Sequence, residues 1–111
     1  MNTPGLEVEL PSGEWVPVLP DPSIPDALVI NAGDLIQIWT NDTWRSPPHR
    51  VIARPRSLSS AGRLSLVFFI GPAGNTIVEP LPGCHGDNRP KQYAPVNAHE
   101  HLMAKLKKSN V

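Results

Sequence analysis

The sequence predicts an all-β chain closed by one C-terminal α-helix, and three observations carry that reading. Between residues 6 and 79 the apolar residues come in short runs rich in Val, Ile, Trp and Phe, nearly alternating and separated by turn residues. Proline supplies 14 of the 111 residues, alongside 8 glycines, against an average proline usage of about 5%, which leaves little room for long helices. Only after Asn97 does an apolar stripe at helical spacing occur, in Leu102, Met103 and Leu106. With 40% hydrophobic and 18% charged residues, the chain suits a single domain, 1–111, around one modest core.

The elements follow in order. Residues 6–10 and 14–18 read as a hairpin around the tight turn Pro11-Ser12-Gly13, and residues 19–26, with three prolines, as a loop. Residues 27–31 and 35–40 read as a second strand pair around Ala32-Gly33-Asp34, followed by a polar turn at Asn41-Asp42-Thr43. Prolines hold residues 45–48 extended, residues 49–53 read as a strand, and the Ser- and Arg-rich residues 54–62 as an exposed loop. Residues 63–70 are the most hydrophobic strand, residues 76–79 a short one, and residues 80–95 a proline-rich connection. Asn97, with Glu100 three residues later, resembles a capping box, and Lys105, Lys107 and Lys108 suit the helix C-terminus.

Formal net charge is zero, yet residues 1–44 carry seven acidic and no basic residues, while all ten Lys and Arg lie in residues 45–111. Aromatics are too few to interleave a basic stripe, so nucleic acid is not expected as a partner. No apolar run reaches the roughly 18 residues of a membrane span, and no membrane partner is expected. The single Cys84 excludes an internal disulfide and a four-cysteine zinc module, which suits a reducing cytoplasm, and residues 1–10 have no signal-peptide pattern.

Three residues are candidates for chemistry because they stand on expected strands rather than in polar loops: His49, Arg63 and Ser65. Strand alternation puts Arg63 and Ser65 on one face, where a guanidinium fork and a hydroxyl can together grip a carboxylate. Pattern alone leaves open that Arg63 is a surface residue ending a loop and that His49 is a structural hydrogen-bonding residue.

The run as a whole resembles the non-haem iron(II), 2-oxoglutarate-dependent dioxygenases of the isopenicillin N synthase-like family. The resemblance runs through Gly5-Leu6-Glu7-Val8, Gly13-Glu14-Trp15-Val16-Pro17-Val18, Val29-Ile30-Asn31-Ala32-Gly33-Asp34-Leu35, Trp39-Thr40-Asn41, Arg45-Ser46, His49-Arg50-Val51, Arg63-Leu64-Ser65 and Phe68-Phe69. It continues in Glu79-Pro80-Leu81-Pro82, residues 91–95 and Glu100-His101-Leu102, and the ordered set Asn-x-Gly-Asp, His-Arg-Val and Arg-x-Ser is highly specific. The resemblance implies the C-terminal portion of a double-stranded β-helix, or jelly roll. It implies an oxidoreductase acting on a small-molecule metabolite with Fe(II) and 2-oxoglutarate. His49 matches the distal histidine ligand of the iron, with Arg50 not a ligand, and Arg63 and Ser65 match the pair that holds the far carboxylate of 2-oxoglutarate.

The departure from the family lies in the other two ligands. They come as His-x-Asp upstream of the Gly-Leu-x-Val segment, and no His precedes His49 here. A set of two His and one carboxylate is what such an iron needs, so the chain is expected to be a C-terminal fragment, inactive alone and prone to self-association through exposed sheet edges. His85-Gly86-Asp87 spells His-x-Asp, but in reversed order within a Pro- and Gly-rich loop, and is not expected to bind. Cys84, His85, His99 and His101 are permitted zinc ligands, yet His99 and His101 would fall on nearly opposite sides of a helix, so solvated loop histidines are expected. A reading of another class remains: a non-catalytic β-sandwich module that binds an acidic ligand or a partner chain through Arg63 and the basic second half.

Overall fold

A computed structural model describes residues 5–19, 21, 23–52 and 64–109. The chain forms two compact units: Met1–Asn31 with Pro47–Phe68, and Ala32–Ser46 with Phe69–Val111.

The first unit is built on a three-stranded antiparallel sheet of β1 (Leu6–Glu9), β2 (Trp15–Pro17) and β3 (His49–Val51) in the order β2-β1-β3. The β1–β2 hairpin was legible because its turn chemistry is local. Gly13 takes φ +84°, its amide donates to the Leu10 carbonyl at 2.8 Å, and the Leu10 amide donates to the Glu14 carbonyl at 2.8 Å. A glycine in the left-handed region is what a three-residue hairpin loop requires. β3 closes the other edge of β1, and bonds from the Glu9 amide to the Pro48 carbonyl (2.9 Å) and from the Ile52 amide to the Gly5 carbonyl (2.8 Å) extend that ladder.

The second unit holds α1 (Asp34–Trp39), β4 (Ile77–Val78), β5 (Val96–Asn97) and α2 (Ala98–Ser109), with β4 and β5 antiparallel. Its core is small: Ile38, Val78 and Ala98 are buried, with Leu35, Trp39, Tyr93 and Val96 packed against them. The Asn97 cap forms as its sequence suggests, with Oδ1 accepting the amides of His99 (3.0 Å) and Glu100 (3.1 Å).

Four expectations need correction. Residues 35–40 are not a strand: Asp34–Trp39 is a helix. Leu35, Ile38 and Trp39, the residues that turn to the core, are spaced three and one apart as on one helical face, while Ile36 stays exposed. The helix ends in a Schellman motif, with Asn41 at φ +49° and bonds from the Asn41 amide to the Ile38 carbonyl and from the Asp42 amide to the Gln37 carbonyl, both 3.0 Å. Residues 27–31 carry no strand, and residues 64–70 join no strand ladder among the described residues. β5, which starts just past the expected proline-rich connection of residues 80–95 and takes in the expected helix start at Asn97, was not foreseen; two residues are too short to leave a periodic signal. The expected loop at 54–62 and Arg63 lie outside the described residues.

Candidate functional site

The register of the first sheet fixes where His49 points. β1 pairs with β3 as Leu6↔Val51, Glu7↔Arg50 and Val8↔His49, and with β2 as Glu7↔Pro17, Val8↔Val16 and Glu9↔Trp15. Directly opposed residues share a face and successive residues alternate, so His49 stands with Leu6, Val8, Val16 and Val51 on one face. Arg50 stands on the other, with Glu7 and Trp15.

Those two faces differ in chemistry. Arg50 donates from Nε to the Glu7 carboxylate at 3.0 Å, places Nη2 2.9 Å from the same oxygen, and lies 4.0 Å over the Trp15 ring centroid. Its guanidinium is engaged in holding the sheet and is turned away from His49. His49 is exposed on the apolar face, with Nδ1 3.2 Å from the Pro47 carbonyl. A carbonyl oxygen only accepts, so this contact is a hydrogen bond when Nδ1 carries the proton, and the neutral ring then keeps its lone pair on Nε2, free to bind a metal.

Ser65 lies exposed in segment 64–70, and its expected partner Arg63 lies outside the described residues. Among the described residues, no three of His, Cys, Asp and Glu stand close enough together to hold a metal ion. Iron would therefore need donors beyond His49.

A second polar cluster, in the other unit, escaped the sequence reading. Gln37 on α1 donates from Nε2 to Asp42 (2.8 Å) and to the Tyr93 hydroxyl (2.9 Å), while its Oε1 accepts the Ser46 amide (2.7 Å). The Tyr93 hydroxyl also donates to Asp42 in a short hydrogen bond, which holds the Asp42 carboxyl below its ordinary pKa and raises that of Tyr93. Asn41, only 1% exposed, donates to the Cys84 (3.0 Å) and Pro90 (3.1 Å) carbonyls and accepts the Gln92 amide (2.8 Å). Arg89 completes the tie, donating to the Asn41 carbonyl (2.7 Å) and the Thr43 hydroxyl (2.8 Å). These side chains satisfy one another and fasten the 84–92 loop to the end of α1; the cluster is a staple. Its only sequence signal was Asn41-Asp42 directly after the apolar spacing of α1.

His101 also departs from the solvated loop histidine expected for it. It lies on α2 with Nε2 3.3 Å from Asp34 Oδ2, which Lys105 Nζ approaches at 2.7 Å. The Lys105 hydrogen bond is the main reason the Asp34 carboxyl sits below its ordinary pKa, with His101 adding to the effect and partial burial opposing it.

A sequence model of the 2OG-Fe(II) oxygenase superfamily matches residues 1–72, the span that contains His49, Arg63 and Ser65. The chain belongs to the 2OG-Fe(II) oxygenase superfamily. Gibberellin 2-beta-dioxygenase 5 of Oryza sativa subsp. japonica is 41% identical to this superfamily member over 76 residues, 68% of the chain and 20% of that protein. Gibberellin 2-beta-dioxygenase of Phaseolus coccineus is 40% identical over 81 residues, 73% of the chain and 22% of that protein. Among solved structures, a Caulobacter crescentus protein described as of the 2OG-Fe(II) oxygenase family is similar over 95% of the chain and 34% of its own length, with a TM-score of 0.78 and 33% identity. A full-length Neurospora crassa protein, solved in complex with alpha-KG, is similar over 94% of the chain and 34% of its own length, with a TM-score of 0.70 and 28% identity. The chain thus spans about a fifth of these curated relatives and about a third of these solved structures. Among its described residues, no helix is long and apolar enough to cross a membrane.

Proposed function

We propose that this chain forms the C-terminal part of a jelly-roll domain, 1–111, of a cytoplasmic Fe(II)- and 2-oxoglutarate-dependent dioxygenase acting on a small-molecule metabolite. In this reading His49 supplies one of three protein ligands to iron, and Arg63 with Ser65 holds the far carboxylate of 2-oxoglutarate. The two remaining ligands, a His-x-Asp pair upstream of the Gly-Leu-x-Val segment in the family, have no counterpart before His49 in this sequence, and on this reading residues 1–111 alone are inactive.

The observation that carries the reading is the placement of His49. Among the paired strand residues it is the one polar side chain on a face otherwise made of Leu6, Val8, Val16 and Val51, and in the tautomer with Nδ1 protonated the Pro47 carbonyl holds that nitrogen and leaves Nε2 for a metal. A face of this kind suits a dry site, in which two His and one carboxylate take one side of the iron and leave the other for the 2-oxo acid and dioxygen. The solved relative in complex with alpha-KG supports the same cofactor class.

The carboxylate clamp is tested by ligand-observed NMR of 2-oxoglutarate with the chain and its Arg63→Ala variant. Weak binding that Arg63→Ala removes is the expected result, since losing a charged hydrogen-bonding partner costs about 1.5–3 kcal/mol. Binding that survives Arg63→Ala unchanged means that the clamp is misassigned.

A further inference from the structure

Pro47 and Pro48 stand directly before His49, a pair that the ligand reading of the histidine leaves without a task. The β1 ladder shows which way their carbonyls turn. The Glu9 amide donates to the Pro48 carbonyl at 2.9 Å and the Ile52 amide to the Gly5 carbonyl at 2.8 Å, so residues 48 and 52 turn their backbone groups toward β1. Successive carbonyls alternate along an extended chain, and Pro48 keeps residue 47 extended, so the Pro47 carbonyl turns away from β1 and lies 3.2 Å from His49 Nδ1. Between that carbonyl and the imidazole the backbone turns about φ and ψ of residue 48 and φ of residue 49. The Pro48 ring locks the first at about −65°, and the ladder bond to Glu9 together with the Val8↔His49 register holds the other two. Pro48 also lacks an N–H, so the Pro47–Pro48 bond is a tertiary amide, whose carbonyl accepts more strongly than that of an ordinary peptide.

We propose that Pro48 is a positioning residue: it presets the His49 ring with the proton on Nδ1 and Nε2 bare for a metal. This role rests on the reading of His49 as a ligand and deepens it. A histidine free of such a bond favours the proton on Nε2, the nitrogen that a metal would need. The bond made by the other ring nitrogen decides which one meets the metal, and a ring oriented beforehand loses less freedom on binding. Pro47 differs from Pro48 in this respect. Its own ring fixes φ of residue 47, which precedes the accepting carbonyl and lies outside the stretch that joins carbonyl to imidazole.

The test is long-range proton–nitrogen NMR on the iron-free full chain with labelled histidine, at about pH 8.5, where imidazoles are neutral. His49→Gln assigns the signals. The tautomer protonated on Nδ1 should predominate at His49, and Pro48→Ala should lower its ratio to the other about threefold or more, the worth of one hydrogen bond. Pro47→Ala should leave it in place. Protection of the Ile52 amide from hydrogen exchange, retained in Pro48→Ala or in the strand-favouring Pro48→Val, shows that β3 stays paired. Because the ring is read without iron, His49→Ala in an Fe(II) titration tests the ligand reading separately. A proton predominantly on Nε2 in the unsubstituted chain, an unchanged ratio in Pro48→Ala, an equal fall in Pro47→Ala, or a fall seen only where Ile52 loses its protection would overturn the role of Pro48.

Discussion

His49 on β3 stands directly across the ladder from Val8 on β1, so the imidazole shares its face with aliphatic side chains, while its neighbour Arg50 faces Glu7 on the other side. Two adjacent residues thereby carry different tasks. Arg50 fastens the strand and His49 is left to present a ring nitrogen.

Replacing Arg50 separates these tasks. Arg50→Ala removes an ion pair and a stacking contact on a half-exposed side chain, and should destabilise the first unit by about 1 kcal/mol. Arg50→Lys should recover only part of this, because an ammonium cannot lie flat on Trp15. Chemical denaturation followed by Trp fluorescence at low and high salt measures both; equal stability of all three proteins would mean that the contact holds nothing.

Asn41 should be among the least replaceable residues of the second unit. Asn41→Ala removes three hydrogen bonds at a buried position, to the Cys84 and Pro90 carbonyls and from the Gln92 amide, of which only the Pro90 carbonyl keeps another donor, Gln92 Nε2, and it places a residue less tolerant of φ +49° there. The expected cost is about 3–5 kcal/mol, with Asn41→Gly recovering only the backbone share of about 1 kcal/mol. Denaturation midpoints of the two variants check the difference.

The Gln37–Asp42–Tyr93 cluster gives an alkaline limit. The pKa of Tyr93 is raised in the folded chain, chiefly by its hydrogen bond to Asp42, so its contribution is complete below the ordinary tyrosine pKa of about 10 and is lost as pH rises through the folded value. Tyr93→Phe should cost about 1–2 kcal/mol at neutral pH and flatten that alkaline loss. An unchanged alkaline limb in Tyr93→Phe would contradict this assignment.

Asp34 sets the acid side. Its folded pKa is depressed, mainly by Lys105, so its contribution is present above the ordinary carboxylate pKa of about 4 and disappears as pH falls through the folded value. Lys105→Met should therefore lower stability slightly near neutrality, slightly because the pair is largely solvated, and leave it unchanged once Asp34 is protonated, so that the acid dependence measured by denaturation across about pH 2–7 becomes shallower; an unchanged acid limb would contradict the pairing.

What the sequence disclosed was mostly local. Gly13 and Asn97 act within three residues of themselves, and the hairpin and the α2 cap were legible from them alone. Leu35, Ile38 and Trp39 were ambiguous, because a short apolar run satisfies a strand pattern until a burying partner selects one face, and Val78 and Ala98 are distant in sequence. The strand expected over residues 63–70 is apolar enough, but a strand needs a ladder partner, and residues 64–70 have none among the described residues. His49 was legible as a strand residue, whereas its companions on the apolar face follow from register, which only the paired strands reveal.

Anaerobic titration with Fe(II) tests the central claim most directly. A lone imidazole does not hold iron against water and buffer, so residues 1–111 should show no stoichiometric binding. The same chain joined to a His-x-Asp-bearing segment of a superfamily member should bind one Fe(II), and His49→Ala should abolish that binding. Tight one-to-one binding by residues 1–111 alone, or binding by the joined protein that His49→Ala leaves intact, would contradict the assignment of His49 as one ligand of three.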